Sequence, residues 1–362
     1  MSRILAIGDT HFKTDNYEDS IILTNTIKDI LKDNPDISTV IVLGDILHNH
    51  EKIHTFALNV AINFFKTILS CNVKCFCLVG NHDATTNTIF LTDNHWMNAL
   101  KGWDNLTIVD TPTVLNLNDK DFVVMCPYVP DGRFTEALNT LSLQVVNEHK
   151  IKLLDWTKAR CIFAHQTLDG CKYGHQIVKD VEEWKDEYPM CVSGHIHLSQ
   201  RVKDNLYYSG SSMKESYSDL DDKTVCIVTI TLDEGIDITP VKVNLKEKKI
   251  LYATPDNLDD IKKQIEDNKD IEYKVVLKGK ENELKAIKNS SLYNETLNLD
   301  NVKNIAFKAT WKEVTTEVGG SDDFVECLSA LITNEDNKYL TSLYEHILYG
   351  KEDISDKDIF FV

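Results

Sequence analysis

Three short apolar runs separated by two amphipathic stretches fill the first 80 residues, and few architectures accept that alternation. Arg3 to Ile7 reads as a strand. Leu23, Ile27, Ile30 and Leu31 then recur at helical spacing until Pro35 breaks the stripe. Thr39 to Leu43 reads as a second strand, Ala57, Val60, Ala61, Phe64 and Ile68 as a second helical stripe, and Val73 to Val79 as a third strand. Neighbouring parallel strands need long crossovers, usually helical, so the pattern predicts an α/β chain with helices packed on a parallel sheet.

Downstream the pattern turns β-rich. Strands are predicted at Leu106–Val109, Val114–Leu117, Phe122–Met125, Cys161–Phe163, Met190–Val192, Leu206–Tyr208 and Thr224–Thr231, with a helix over Phe134–Lys150. A first domain over residues 1–243 would then end at a lysine-rich connector that starts with Lys246-Glu247-Lys248-Lys249. Residues 250–312 form a smaller α+β unit, with strands at Glu272–Lys278 and Lys303–Thr310 and helices at Asp256–Asp267 and Glu281–Lys288. Beyond a Gly319-Gly320 hinge, Phe324, Leu328, Leu331 and Ile332 make one stripe, and Leu340, Leu343, Tyr344, Ile347 and Leu348 another, so residues 321–350 read as a helix–loop–helix.

Composition narrows the class. The chain has 362 residues, 39 basic and 57 acidic, for a net charge of −18, which excludes a coat for nucleic acid that needs a broad basic face. A carboxylate-rich site would need divalent cations before it admitted a phosphodiester. No apolar run approaches the roughly 18–20 residues that span a bilayer. The N-terminus enters a strand directly, so no secretion signal and no membrane association are expected, and the location is expected to be cytoplasmic. Nine scattered cysteines, an odd number mostly inside apolar runs, argue for a reducing compartment and core packing rather than a disulfide framework.

Five short motifs each follow a predicted strand: Gly8-Asp9-Thr10-His11, Gly44-Asp45-Ile46-Leu47-His48, Gly80-Asn81-His82-Asp83, Ala164-His165 and Gly194-His195-Ile196-His197. Taken singly each is weak, since a Gly-Asp is usually a turn and a lone histidine usually packs in a core. In a parallel sheet the carboxyl ends of the strands share one edge, where ligands bind. Together the loops would gather seven metal ligands: Asp9, His11, Asp45, Asn81, His165, His195 and His197. Imidazole, carboxylate and carboxamide without thiolate suit Mn²⁺, Fe²⁺ or Zn²⁺. Seven donors exceed one tetrahedral shell and fit two ions about 3.5–4 Å apart. Asp45 is the natural bridge, with one oxygen facing each ion.

In this order the motifs resemble the calcineurin-like metallophosphoesterases, and among them the SbcD-type DNA double-strand-break nucleases and their phage recombination counterparts. The resemblance covers residues 3 to about 240. It implies a β-sandwich flanked by helices, with one metal on Asp9, His11, Asp45 and His197 and a second on Asp45, Asn81, His165 and His195. It implies that His82 is catalytic without being a ligand and that Asp83 orients it. Two details favour the nuclease branch. His48 stands three residues after Asp45, where many phosphatase relatives carry an acid and the nucleases a histidine that contacts the phosphate. Tyr208-Ser209-Gly210-Ser211 looks like the family's closing turn.

The resemblance further implies two-metal, Mn²⁺-dependent hydrolysis, 3′→5′ on duplex ends and internal on single strands. Residues 250–312 are similar to the DNA-binding capping domain, and residues 321–350 to the element that docks on an SbcC-type coiled-coil ABC ATPase. A homodimer is implied as well, through the helix at Ala57–Ile68 and the apolar stretch Ile89–Leu100. The short length leans towards a phage or viral origin, and so towards the host cytoplasm, over a bacterial one. A small-molecule phosphodiesterase or phosphatase stays open as the alternative, and an inactive scaffold as a third reading, against which the complete ligand set argues. His50, His54, His95, His149, His175 and His346 fall outside the motifs and are expected to be surface or core residues.

Overall fold

The computed structural model describes residues 1–309, apart from 50, 51, 144, 148, 149, 152, 153, 175, 218, 220, 221 and 232–234, together with Ile332. The expected helix–loop–helix at 321–350 lies outside the described residues, Ile332 excepted.

Two six-stranded sheets pack face to face. The first contains β1 (Ser2–Ile7), β2 (Ile37–Val42), β3 (Lys74–Leu78), β4 (Leu106–Val109), β15 (Lys223–Thr231) and β16 (Gly235–Val243), in the order β16-β15-β1-β2-β3-β4. β1 to β4 are mutually parallel, while β15 runs antiparallel to β1 and to β16. The first crossovers are α1 (Tyr17–Asp33) and α2 (Thr55–Ser70). Both stripes read from the sequence face inward. Leu23, Ile27, Ile30 and Leu31 of α1 and Ala57, Ala61, Phe64 and Ile68 of α2 are buried against Leu5, Ile7, Val40 and Val42. Most of the α2 bulk assigned to a dimer contact is therefore spent on the chain's own core.

The second sheet contains β5 (Thr113–Asn116), β6 (Phe122–Cys126), β9 (Cys161–His165), β12 (Met190–Gly194), β13 (Gln200–Lys203) and β14 (Leu206–Tyr208), in the order β13-β14-β12-β9-β6-β5. Its central strands are parallel and its edges antiparallel. Ile4, Ala6, Ile41, Leu43, Phe76 and Leu78 of one sheet meet Val123, Met125, Cys161, Phe163 and Val192 of the other, a sandwich core closed to water. Phe134 and Leu138 of α3 (Phe134–Asn139), with Trp156 and Trp184, cover the outer face of the second sheet. The eight cysteines among the described residues are free, seven of them buried.

The helix expected over Phe134–Lys150 stops at Asn139. A 3₁₀ turn over Thr140–Leu143 follows, and then a small pair, β7 (Val145–Asn147) with β8 (Lys150–Ile151). Val145-Val146 is a β-branched pair whose restricted χ1 favours strand over helix. A second small pair, β10 (Lys172–Tyr173) with β11 (Gln176–Ile177), was not visible in the pattern.

The expected connector at Lys246–Lys249 is also different: β17 (Glu247–Ala253) starts there. It pairs in parallel with β18 (Ile271–Gly279), which pairs in parallel with β19 (Val302–Ala309). Lysine is tolerated there because Lys248 lies buried with its ammonium 2.6 Å from Asp19 of α1 and 3.7 Å from Glu272 of β18. The Tyr217 hydroxyl donates to Glu272 at 2.6 Å, a second tie between this sheet and the sandwich. α4 (Leu258–Glu266), α5 (Glu281–Lys288) and α6 (Ser291–Leu297) pack on one face, and Leu258, Ile265, Tyr273, Val275, Leu277 and Tyr293 form a separate core. Among the described residues no helix is long and apolar enough to cross a membrane.

Candidate metal centre

Each of the five motifs leaves the carboxyl end of a strand. Asp9 and His11 follow β1, Asp45 follows β2, Asn81 and His82 follow β3, His165 ends β9, and His195 and His197 follow β12. The parallel strands aim all five loops at one edge of the sandwich. The backbone there is strained. Asp9, His11, Asp45 and His195 are four of the eight non-glycine residues with positive φ among the described residues, at 27°, 42°, 53° and 77°. Such conformations cost about 1–3 kcal/mol each and persist only where the surroundings enforce them. Enforcement is visible. The His11 amide donates to the Asp45 carbonyl at 2.9 Å, and the His195 amide to both Asp9 carboxylate oxygens at 3.0 and 3.1 Å. Gly80 is required by proximity, since a Cβ there would lie 2.2 Å from Asp45 Oδ1.

The seven predicted donors converge as two groups. Asp9, His11 and His197 form one, and Asp45, His165 and His195 the other, with the donor atoms of each group within 4.8 Å of one another. Asn81 joins the second through Oδ1, 3.0 Å from His165 Nε2. In the first, His11 Nε2 and His197 Nε2 face each other at 3.0 Å. In the second, His195 Nδ1 lies 3.2 Å from His165 Nε2. Nitrogen lone pairs brought this close want a cation between them, so the donor set fits two divalent ions. Asp45 lies between the groups, but not with one oxygen for each. Its Oδ2 is 3.6 Å from His11 Nε2 and 3.3 Å from His165 Nε2, while Oδ1 accepts the His82 amide at 2.8 Å. The expected split of oxygens therefore gives way to a single oxygen facing both groups, because the backbone has claimed the other.

Burial sets the protonation. It drives His11 and His195 down to about 3, which keeps both rings neutral and able to donate lone pairs. At His165 burial is outweighed by the Asp45 and Asp9 carboxylates, which raise it to about 9. Burial opposes the Asp45 charge too, yet His165 and His11 hold that carboxyl well below its usual range. Burial pushes Asp9 up to about 6, against the pull of His165 and His197. The His165 proton thus balances buried carboxylate charge, the task a divalent ion performs more fully. His165 Nδ1 is 2.7 Å from the Leu43 carbonyl, which makes it the N–H side of the ring and leaves Nε2 for the centre.

His82 and His48 stand beside the first group. Their rings are 5.8 Å apart and stacked, and lie 4.8 and 5.6 Å from the His11 ring. For Asp83, expected to orient His82, the contacts seen run to backbone amides and an indole. The Asp83 carboxylate accepts from the Ile46 and Gly80 amides at 3.1 Å each and from the Trp96 indole at 3.0 Å, so it clamps the second and third loops together. The group on His82 Nδ1 is the His48 carbonyl, at 2.7 Å. The Tyr208–Ser211 turn sits beneath: the Ser211 amide reaches the His197 carbonyl, and Ser212 the Gly8 carbonyl. Of the histidines outside the motifs, His54 caps α2 by accepting the Phe56 amide, and His95 faces Asp110 at 3.3 Å. His50, His149, His175 and His346 lie outside the described residues or carry side chains that are not described.

Two residues escaped the sequence. Glu215 places Oε2 3.0 Å from His197 Nδ1 and Oε1 3.4 Å from His48 Nδ1. The Tyr128 ring packs on His195 and His165, with centroids 5.7 and 6.1 Å away. Neither belongs to a motif, and only the fold brings them to the site.

The sequence pattern of the calcineurin-like phosphoesterases matches residues 2–199, a span that takes in every predicted site residue and ends before Glu215. A protein of Invertebrate iridescent virus 3 named as a phosphoesterase, 078R, is 33% identical over 346 residues, 95% of this chain and 96% of the relative. A second so named, 244L of Invertebrate iridescent virus 6, is 40% identical over 250 residues, 69% of this chain and 82% of the relative. Among solved structures, a dimetal phosphatase from Danio rerio aligns with a TM-score of 0.42 and 11% identity, covering 67% of this chain and 99% of that one. By the matched pattern and by these relatives, the chain belongs to the calcineurin-like phosphoesterase family.

Proposed function

We propose that this chain is a metal-dependent DNA nuclease, resecting duplex ends 3′→5′ and cutting single strands internally. The observation that carries the nucleic-acid reading is His48, whose ring stands at the mouth of the centre with 31% of its side chain exposed and stacked on His82. An imidazole there can donate to a phosphate oxygen where an acid would repel it. The small sheet adds support. Residues 246–309 hold thirteen lysines against twelve acids in a chain of net charge −18. Tyr273, Val275 and Leu277 point into its core, so Lys274 and Lys278, and Lys308 across the ladder, fall on the face opposite the helices, where a phosphate backbone would meet them.

Asp9, His11, Asp45 and His197 would hold one ion, and Asp45, Asn81, His165 and His195 the second. When bound, two divalent ions, manganese in this proposal, supply positive charge for the phosphate oxygens and lower the pKa of nearby water. The chain's own work is to hold these donors rigid, to bring His48 to the phosphate, and to set His82 Nε2 beside the departing 3′ oxygen. With Nδ1 fixed as the N–H side by the His48 carbonyl, Nε2 is the atom that exchanges a proton there.

The purified chain with Mn²⁺ should shorten end-labelled duplex DNA and cut single strands, and be slow on a nitrophenyl phosphodiester. The reverse preference would favour a small-molecule phosphodiesterase or phosphatase. That reading draws on a groove of about 750 Å³ beside His197, lined also by Lys172, Tyr173 and Glu215, which is of small-ligand size. Activity on neither substrate would leave the scaffold.

We further propose an SbcC-type ATPase partner and a homodimer. Truncation after Val318 should leave cleavage of single strands intact and abolish co-purification with the ATPase. Retention at normal yield would remove the C-terminal segment as the docking element. Tyr17, Ile21, Ile53 and Phe56 are each at least 40% exposed at the start of α1 and α2, with Tyr17 and Phe56 in ring contact, and are the side chains offered for dimerisation. Sedimentation equilibrium at tens of micromolar should give twice the mass of one chain. The mass of a single chain would exclude the dimer.

A further inference from the structure

Beyond the metal donors, one charged side chain touches two functional histidines at once. Glu215 follows the Tyr208–Ser211 turn and lies outside the span matched by the family pattern. Its Oε2 is 3.0 Å from His197 Nδ1, and its Oε1 is 3.4 Å from His48 Nδ1. His197 turns its other nitrogen, Nε2, towards His11, so Glu215 sits on the far side of a candidate metal ligand. His48 belongs to the substrate side. The carboxylate therefore joins a metal-facing ring to a substrate-facing ring.

Glu215 is itself held from several directions. Its carbonyl accepts from Lys13 Nζ at 2.6 Å, and its amide donates to Asp219 at 2.9 Å. Asp219 is in turn 3.3 Å from Lys223, which also donates to Ser211 at 2.7 Å. Two residues on, the Tyr217 hydroxyl reaches Glu272 of the small sheet. A side chain on so fixed a turn has a defined place rather than an average one. Carboxylates that accept from the distal N–H of a ligating imidazole fix its tautomer and orientation and raise its basicity.

We propose that Glu215 is a positioning residue that orients His197 towards the first metal ion and His48 towards the phosphate through one carboxylate. The inference rests on the two-ion reading of the centre. His197 donates its Nδ1–H to Oε2 and thereby presents the Nε2 lone pair to the metal. Oε1 faces His48 Nδ1 at 3.4 Å without a hydrogen bond, so it biases the ring that meets the substrate by charge alone. Removal of the carboxylate thus acts on both metal affinity and substrate affinity, and it acts on only one of the two ions, because His165 takes its orientation from the Leu43 carbonyl.

The test is calorimetric titration of the full chain with Mn²⁺ alone, followed by steady-state kinetics at saturating Mn²⁺. Glu215→Ala should weaken one of two Mn²⁺ sites by about 10–100-fold and leave the other unchanged. At saturating metal it should raise KM more than it lowers kcat, since the bias on His48 is lost as well. Thermal unfolding in chelator should match the wild type, which a purely structural role would not permit. Glu215→Gln keeps the shape and one acceptor oxygen, so it should fall between the wild type and Glu215→Ala, and it carries the test if the alanine variant unfolds. Two unaltered Mn²⁺ sites together with an unaltered KM in Glu215→Gln and in any folded Glu215→Ala would overturn the assignment. A wild-type chain that binds fewer than two Mn²⁺ ions would overturn the two-ion reading and the inference with it, a result distinct from two intact sites in the variants.

Discussion

Asp45→Ala should weaken both metal sites together, so that a two-site Mn²⁺ titration of the wild type collapses to weak, unresolved binding. The reason is the single oxygen, Oδ2, that faces His11 on one side and His165 on the other. Loss of any other donor leaves one group intact, so Asp9→Ala should weaken mainly the ion held with His11 and His197. The Asp45 change also strips the main counter-charge from buried His165, whose pKa would then fall. Metal charge at a phosphoryl centre is worth several kcal/mol, and each 1.36 kcal/mol is tenfold in rate. Hydrolysis should therefore fall by about 10³-fold or more. Two sites of normal affinity in Asp45→Ala would end the bridging assignment.

His82→Asn is expected to divide binding from chemistry. The His82 backbone amide, which donates to Asp45 Oδ1, is untouched, and an asparagine side chain can still donate to the His48 carbonyl. Both Mn²⁺ affinities and the affinity for uncleaved DNA should stay within a few-fold of wild type. Turnover should drop by about 10²–10⁴-fold, the usual contribution of a positioned proton donor. A substrate with an acidic leaving group such as nitrophenol needs no proton, so the variant should lose far less on it. Near wild-type turnover on DNA would remove His82 from the reaction. An equal loss on both substrates would show that its role is not to protonate the leaving oxygen.

The site was legible where chemistry and chain direction coincide. Six of the seven donors stand on loops that follow strands and His165 is the last residue of β9, and the alternation of strand and helix was enough to place them on one edge. The sandwich core was legible for the same reason: Ile4 and Ala6, or Ile41 and Leu43, are short apolar runs that only a doubly covered strand needs. What the sequence hid depends on distance in space. Glu215 is an ordinary acid between a lysine and a serine until β14 and the turn after it bring it to His197. Asp83 sits beside His82 in sequence, yet the turn points its carboxylate to the Ile46 amide and the Trp96 indole. β17 was hidden by charge, since three lysines among four residues suggest a solvated connector until Asp19 supplies a buried partner.

That buried partner has a mechanical consequence. Lys248 and Asp19 are 7% and 3% exposed, and pulling the small sheet off the sandwich would part them and return both charges to water. Rehydration of the two charges offsets much of the attraction lost, so the pair specifies where the sheet docks more than how tightly it is held. The small sheet is then oriented on the sandwich by a specific contact. If the substrate is the DNA proposed above, a sheet held in one orientation would leave the bending to the polymer, and the energy of that deformation would enter the choice between duplex and single strand.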